Sequence, residues 1–153
     1  MKAEKIVSMC LSQSINFSVA ESCTGGLISD AFVSVPGVSN VFTEGLVTYS
    51  NSSKIKRLDV KEETIKKYGA VSEKTVREML SGLSTEHGIA VSGLAGPEGG
   101  TEEKPVGTVF VGVKSKQNLK IERFLIKGDR GKIRKKTRDK ALSMFEKLLE
   151  KAP

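Results

Sequence analysis

Apolar residues recur along this chain with two periods, and the changes from one to the other mark out its elements. Ala3, Ile6, Val7, Cys10 and Leu11 fall on one helical face, which predicts a helix over 3–14. Phe17-Ser18-Val19-Ala20 is a short strand-like run. Helical spacing returns in Leu27-Ile28-Ser29-Asp30-Ala31-Phe32-Val33, within a helix predicted over 25–35 and stopped by Pro36-Gly37. Gly45-Leu46-Val47-Thr48-Tyr49 reads as the next strand. Asn51 or Ser52 can then cap a helix that runs to Leu58, and Asp59 can cap another that ends at Gly69. Ser72 opens a helix with Val76, Met79, Leu80 and Leu83 on one face. Ile89-Ala90-Val91-Ser92 is a strand, and longer strands over 106–113 and 119–126 form a hairpin across Ser115–Asn118. After Gly128-Asp129-Arg130-Gly131 a last helix turns Ile133, Thr137, Ala141, Phe145, Leu148 and Leu149 inward.

Strands separated by helices predict an α/β layered sandwich. The late hairpin makes its sheet mixed but mostly parallel, with about five or six strands flanked by helices. A chain of 153 residues suits a single domain over 1–153. With 38% hydrophobic and 28% charged residues the composition is that of an ordinary globular chain. It has no apolar run near the roughly 20 residues of a membrane span. Met1-Lys2-Ala3-Glu4-Lys5 leads into an amphipathic helix rather than a signal peptide, so a cytoplasmic protein with no membrane partner is expected.

Cys10 and Cys23 lack metal-ligand spacing and His87 is the single histidine, so neither metal nor other cofactor is expected. The net charge of +7 is uneven. Between Lys114 and Lys151 lie 14 of the 25 basic and 5 of the 18 acidic residues, so this segment carries +9 and the remainder −2. A basic end can meet nucleic acid or an anionic substrate, or simply form a solvated helix face. Its aromatics are only Phe124 and Phe145, and Phe145 is on the core stripe, so the stacking platforms of a single-strand binder are missing.

Chemistry concentrates at Val19-Ala20-Glu21-Ser22-Cys23-Thr24-Gly25-Gly26, a tight strand-to-helix turn rich in small residues. A hydroxyl there lies near N–H groups that lack partners inside the helix, a favourable place for a nucleophile whose reaction develops an oxyanion. The plain alternative is that Ser22 or Thr24 merely caps the helix, and the octamer alone favours that cap. His87, in Thr85-Glu86-His87-Gly88, reads as the tail of a helix with Gly88 just beyond it, so a base for Ser22 must come from elsewhere. Lys54 is the best candidate: in the first turn of its helix it meets the positive end of the dipole, which lowers its pKa, and burial acts the same way. A solvated surface lysine is the plain alternative. Tyr49, at a strand end, can relay a proton or be a core aromatic with a wet tip. The loop Gly96–Pro105 is too long for a connector and can wrap a phosphate with backbone N–H groups, although Glu98, Glu102 and Glu103 would have to point away. Arg130 offers a fork suited to a phosphate or carboxylate.

These pieces together resemble one family. Ala20–Gly26, Val47–Lys54, Gly69-Ala70-Val71-Ser72-Glu73, Ser92–Gly100 continuing through Lys104–Val109, and Gly128-Asp129-Arg130 are similar, in order, to the motifs of the CinA C-terminal domain. Its stand-alone form is the PncC-type nicotinamide-nucleotide amidase. The resemblance implies an α/β sandwich that hydrolyses the carboxamide of nicotinamide mononucleotide to nicotinate mononucleotide and ammonia. It implies Ser22 as nucleophile, with Lys54 and Tyr49 as its catalytic partners. Thr24, Gly25, Gly26, Asn51, Gly99, Gly100, Thr101 and Arg130 would contact substrate, with Arg130 at the phosphate and Arg134 as the second choice there. The implied partner is a small nucleotide; a homo-oligomer is compatible and nucleic acid is disfavoured. The rival readings are a basic nucleic-acid-binding module and an inactive scaffold of the same fold.

Overall fold

Alternation at period two builds the centre of the molecule, of which the computed structural model describes residues 1–151. In β1 (Phe17–Glu21), Phe17 and Val19 enter one core and Ala20 the other. In β3 (His87–Gly93), Ile89 and Val91 oppose Ala90, and in β4 (Thr108–Lys114), Val109, Val111 and Val113 oppose Phe110. With β2 (Phe42–Val47) and β5 (Leu119–Leu125) these strands form a five-stranded sheet in the order β2-β1-β3-β4-β5. β1 is parallel to β2 and β3, whereas β4 is antiparallel to β3 and β5. Only β4 therefore runs against the rest, and the sheet is mixed and mostly parallel.

Helices cover both faces. α1 (Lys2–Gln13), α2 (Leu27–Val33) and α6 (Arg130–Glu150) bury Ile6, Phe32 and Phe145 against Phe17. α3 (Asn51–Leu58), α4 (Glu62–Tyr68) and α5 (Glu73–Ser81) bury Leu58, Met79 and Leu80 on the other side. The result is a three-layer α/β/α sandwich. No helix among the described residues is long and apolar enough to cross a membrane.

Several local expectations change. The α3 cap is Ser50, whose hydroxyl accepts from the Ser53 N–H at 3.0 Å, and neither Asn51 nor Ser52 takes that role. Asp59 ends α3 in the left-handed region (φ 56°) instead of capping α4. Among the described residues no side chain caps α4; Glu78 of α5 accepts from the N–H of Lys61, the residue just before that helix, at 2.8 Å. His87 belongs to β3, because α5 stops at Ser81. Gly88 answers to the sheet, since a Cβ there would meet the Ser18 carbonyl at 2.8 Å. Ser72 caps α5 and Asp129 caps α6, each accepting from the N–H three residues on.

Candidate active site

The carboxyl ends of the parallel strands β1, β2 and β3 converge, and a crevice at that edge of an open α/β sheet is where ligands bind. Ser22 follows β1, Lys54 stands on the helix after β2, and Ser92 and Gly93 close β3. The turn after Ser22 is closed by the Gly25 N–H donating to the Ser22 carbonyl at 3.1 Å. Gly25 (φ 56°) and Gly26 (φ 106°) take left-handed conformations that a side chain would strain.

Glu21 holds this turn from below. Fully buried, its carboxylate accepts from Thr24 Oγ1 at 2.6 Å, from the N–H groups of Gly26 (3.1 Å), Ile28 (3.0 Å) and Ser29 (2.9 Å), and from Ser29 Oγ at 2.7 Å. A buried carboxylate with this many donors caps α2 by itself. The consequence for the site is a correction. The N–H groups of Gly25 and Gly26 and the Thr24 hydroxyl, expected to face an oxyanion or substrate, are already engaged. Among the described residues, the N–H groups of Ser22, Cys23 and Thr24 find no partner in another residue, and the Cys23 N–H lies against its own thiol. Thr24 is fully buried while Cys23 lines the cleft.

Lys54 is 1% exposed and Ser22 7%. The Lys54 Nζ lies 3.1 Å from Ser22 Oγ, 2.9 Å from the Thr48 carbonyl and 3.1 Å from the Tyr49 carbonyl. No carboxylate pairs with it among the described residues. Burial pushes its pKa down from 10.5 to about 8, against a smaller opposing contribution from Cys23. Burial, which the sequence reading set beside the helix dipole, is the main cause. A neutral amine has two N–H donors and one lone pair. With both donors on the Thr48 and Tyr49 carbonyls, the lone pair faces Ser22 Oγ and can take its proton. Burial acts oppositely on the neighbouring thiol, raising the Cys23 pKa to about 11, so little thiolate exists at neutral pH.

Tyr49 meets Lys54 through its main chain. Its side chain is 59% exposed, and the phenol oxygen accepts from Arg130 Nη2 at 3.2 Å. Arg130 also donates through Nη1 to the Gly96 carbonyl at 2.6 Å. The cleft that Ser22, Lys54, Tyr49 and Arg130 share is completed by Ala70, Val71, Ser92, Gly93 and Ala95. Asn51, Gly99, Gly100 and Thr101 do not line it. Asn51 borders a separate depression with Ile55 and Lys56. Thr101 folds into its own turn, with its N–H on the Lys104 carbonyl and its hydroxyl accepting from the Lys104 N–H. The roles of Glu21 and of the Thr48 carbonyl were not foreseen. Glu21 did leave a signal, as an acidic residue between an apolar strand and a Gly-Gly turn.

A five-stranded α/β/α sandwich with a buried serine–lysine pair at a strand-to-helix turn defines the class of protein. The chain belongs to the CinA C-terminal domain family, whose model matches residues 1–149. It is 48% identical over 153 residues to a CinA-like protein of Fusobacterium nucleatum, a match covering 98% of this chain and 38% of that protein. It is 45% identical to a putative competence-damage inducible protein of Clostridium perfringens, covering 97% of this chain and 37% of that one. The chain therefore spans little more than a third of the length of these relatives. The crystal structure of the competence/damage inducible protein CihA from Agrobacterium tumefaciens superposes with a TM-score of 0.94 at 36% identity, covering 98% of this chain and 94% of that one. A CinA superfamily protein from Klebsiella pneumoniae superposes at 0.92 with 29% identity, covering 97% and 96%.

Proposed function

We propose that this chain is a cytoplasmic amidohydrolase that converts nicotinamide mononucleotide to nicotinate mononucleotide and ammonia. The substrate comes from the motif resemblance, since the relatives' names state no activity. The observation that carries the chemistry is the buried Lys54 amine 3.1 Å from Ser22 Oγ with its other two contacts on carbonyls.

At a pKa of about 8, roughly a tenth of Lys54 is neutral at pH 7. That fraction takes the Ser22 proton as Oγ attacks the carboxamide carbon. The oxyanion forms beside the Cys23 N–H, a donor on the cleft wall that no other residue engages. Protonated Lys54 then gives its proton to the leaving nitrogen, the C–N bond breaks and ammonia departs. Lys54, neutral again, deprotonates a water that attacks the Ser22 ester, and the regained proton returns to Ser22 as nicotinate mononucleotide leaves. Arg130, at the mouth, uses two of its five donors within the protein and keeps the rest for the substrate phosphate. Tyr49 holds that guanidinium and walls the cleft, and the proton path runs directly between Ser22 and Lys54.

Ammonia release measured with nicotinamide mononucleotide, its riboside and free nicotinamide tests this reading. The mononucleotide should be turned over far faster than the other two. Equal rates on all three would remove the phosphate contact, and no release from any would reject the activity.

A further inference from the structure

Arg134 was the second choice for the phosphate, yet its guanidinium turns inward. From the second turn of α6, Nε donates to the Cys23 carbonyl at 2.9 Å and Nη2 to the Thr24 carbonyl at 3.0 Å. It lies so close over the turn that a Cβ on Gly25 would sit 3.1 Å from Nη2. We propose that Arg134 is a positioning residue, which fixes the nucleophile turn so that the Cys23 N–H stays aimed into the cleft as the oxyanion donor. The proposal rests on Ser22 being the nucleophile.

Peptide geometry supplies the argument. In a trans peptide the C=O and N–H point in opposite directions. The Ser22 carbonyl is drawn into the turn by the Gly25 N–H, so the Cys23 N–H of the same peptide points out of it. Of the next two carbonyls, that of Cys23 is held by Arg134 alone and that of Thr24 by Arg134 together with the Leu27 N–H at 3.0 Å. Three successive peptide planes are thereby fixed, and the donor is held in place before substrate arrives. A planar fork spanning two acceptors does this, where the single point charge of a lysine reaches one. The Arg134 cation also favours negative charge at the turn, where the reaction creates it.

A ligand for the phosphate would act mainly on KM; a residue aiming an oxyanion donor acts on kcat. Arg134→Met keeps the length and removes the donors. It should lower kcat about 100-fold, the cost of a small misplacement, with KM within about twofold of wild type. Added guanidinium ion should restore much of the loss in Arg134→Ala, and methylammonium should not. Phosphonylation of Ser22 by a fluorophosphonate probe gives a readout independent of the amide substrate, because the phosphoryl oxygen occupies the oxyanion position. Its rate should fall by a similar factor in Arg134→Met. Arg134→Lys, which keeps the charge, reads the same split if the methionine variant does not fold. Wild-type kcat and labelling in these variants, or a raised KM with unchanged kcat, would overturn the proposal. Wild type that is labelled but releases no ammonia would reject the substrate and leave labelling to judge Arg134. Wild type that neither labels nor releases ammonia would reject Ser22 and this role together.

Discussion

Replacing Lys54 with methionine should change how stability depends on pH more than it changes stability itself. Holding the ammonium's pKa at about 8 instead of 10.5 costs the folded state about 3 kcal/mol of disfavoured charge. Below about pH 8 folded and unfolded chains both carry the proton, and the penalty is present in full. Between about 8 and 10.5 the unfolded chain keeps a proton that the folded chain has lost, so stability rises with pH. Above that range both are neutral and the penalty is gone. Lys54→Met has no such group, and titrating residues other than the neighbouring Cys23 thiol cancel in the comparison. The wild-type stability minus that of Lys54→Met should therefore climb by about 3 kcal/mol between about pH 7 and pH 11. The absolute difference at one pH is a poorer measure. Methionine leaves the Thr48 and Tyr49 carbonyls without the Lys54 donor, at about 1–3 kcal/mol each, which offsets the relief of the buried charge. Urea denaturation of both proteins across that range measures the slope. A flat difference would refute the claim that burial holds this amine near neutrality.

The same group predicts that kcat/KM rises with pH through about 8, and that Lys54→Arg is nearly inactive at every pH because a guanidinium cannot serve as base. A profile flat from pH 6 to 10 would exclude a titrating lysine, those limits being about two units either side of that pKa. Arg130→Ala should raise KM for the mononucleotide and leave the riboside unaffected; equal impairment on both would move Arg130 away from the phosphate. Glu21→Gln places an amide among five donors and should cost on the order of 2–4 kcal/mol in chemical denaturation, whereas a loss under about 0.5 kcal/mol would contradict its capping role.

The sheet and the helices were legible because one face of each carries the apolar period: Val109, Val111 and Val113 against Phe110, or Ile133, Thr137, Ala141 and Phe145 on α6. Boundaries failed where a residue has two physical uses. Gly88 looks like a helix terminator but is glycine because the Ser18 backbone lies against it. Asp59 looks like a cap but supplies a left-handed residue. Within the site, Ser22, Lys54 and the burial expected to lower the lysine's pKa were readable, but the groups that enclose and orient the amine were not. Desolvation depends on what packs around Lys54, and the carbonyls of Thr48 and Tyr49 that orient it leave no trace in side-chain identity. The inward contacts of Arg134 left no trace for a related reason: its acceptors are main-chain atoms about 110 residues away. Asn51 and Gly99–Thr101 sit in the right motifs, yet they are not among the residues that line the cleft.

The central claim is that Ser22, activated by Lys54, attacks the carboxamide, although a second nucleophile of the usual kind stands beside it in Cys23. Ammonia and nicotinate mononucleotide should be measured together for wild type, Ser22→Ala and Cys23→Ala on the same mononucleotide. The account predicts equimolar products from wild type, most of that rate from Cys23→Ala, and essentially none from Ser22→Ala. Undiminished release by Ser22→Ala, or its loss only in Cys23→Ala, would contradict it.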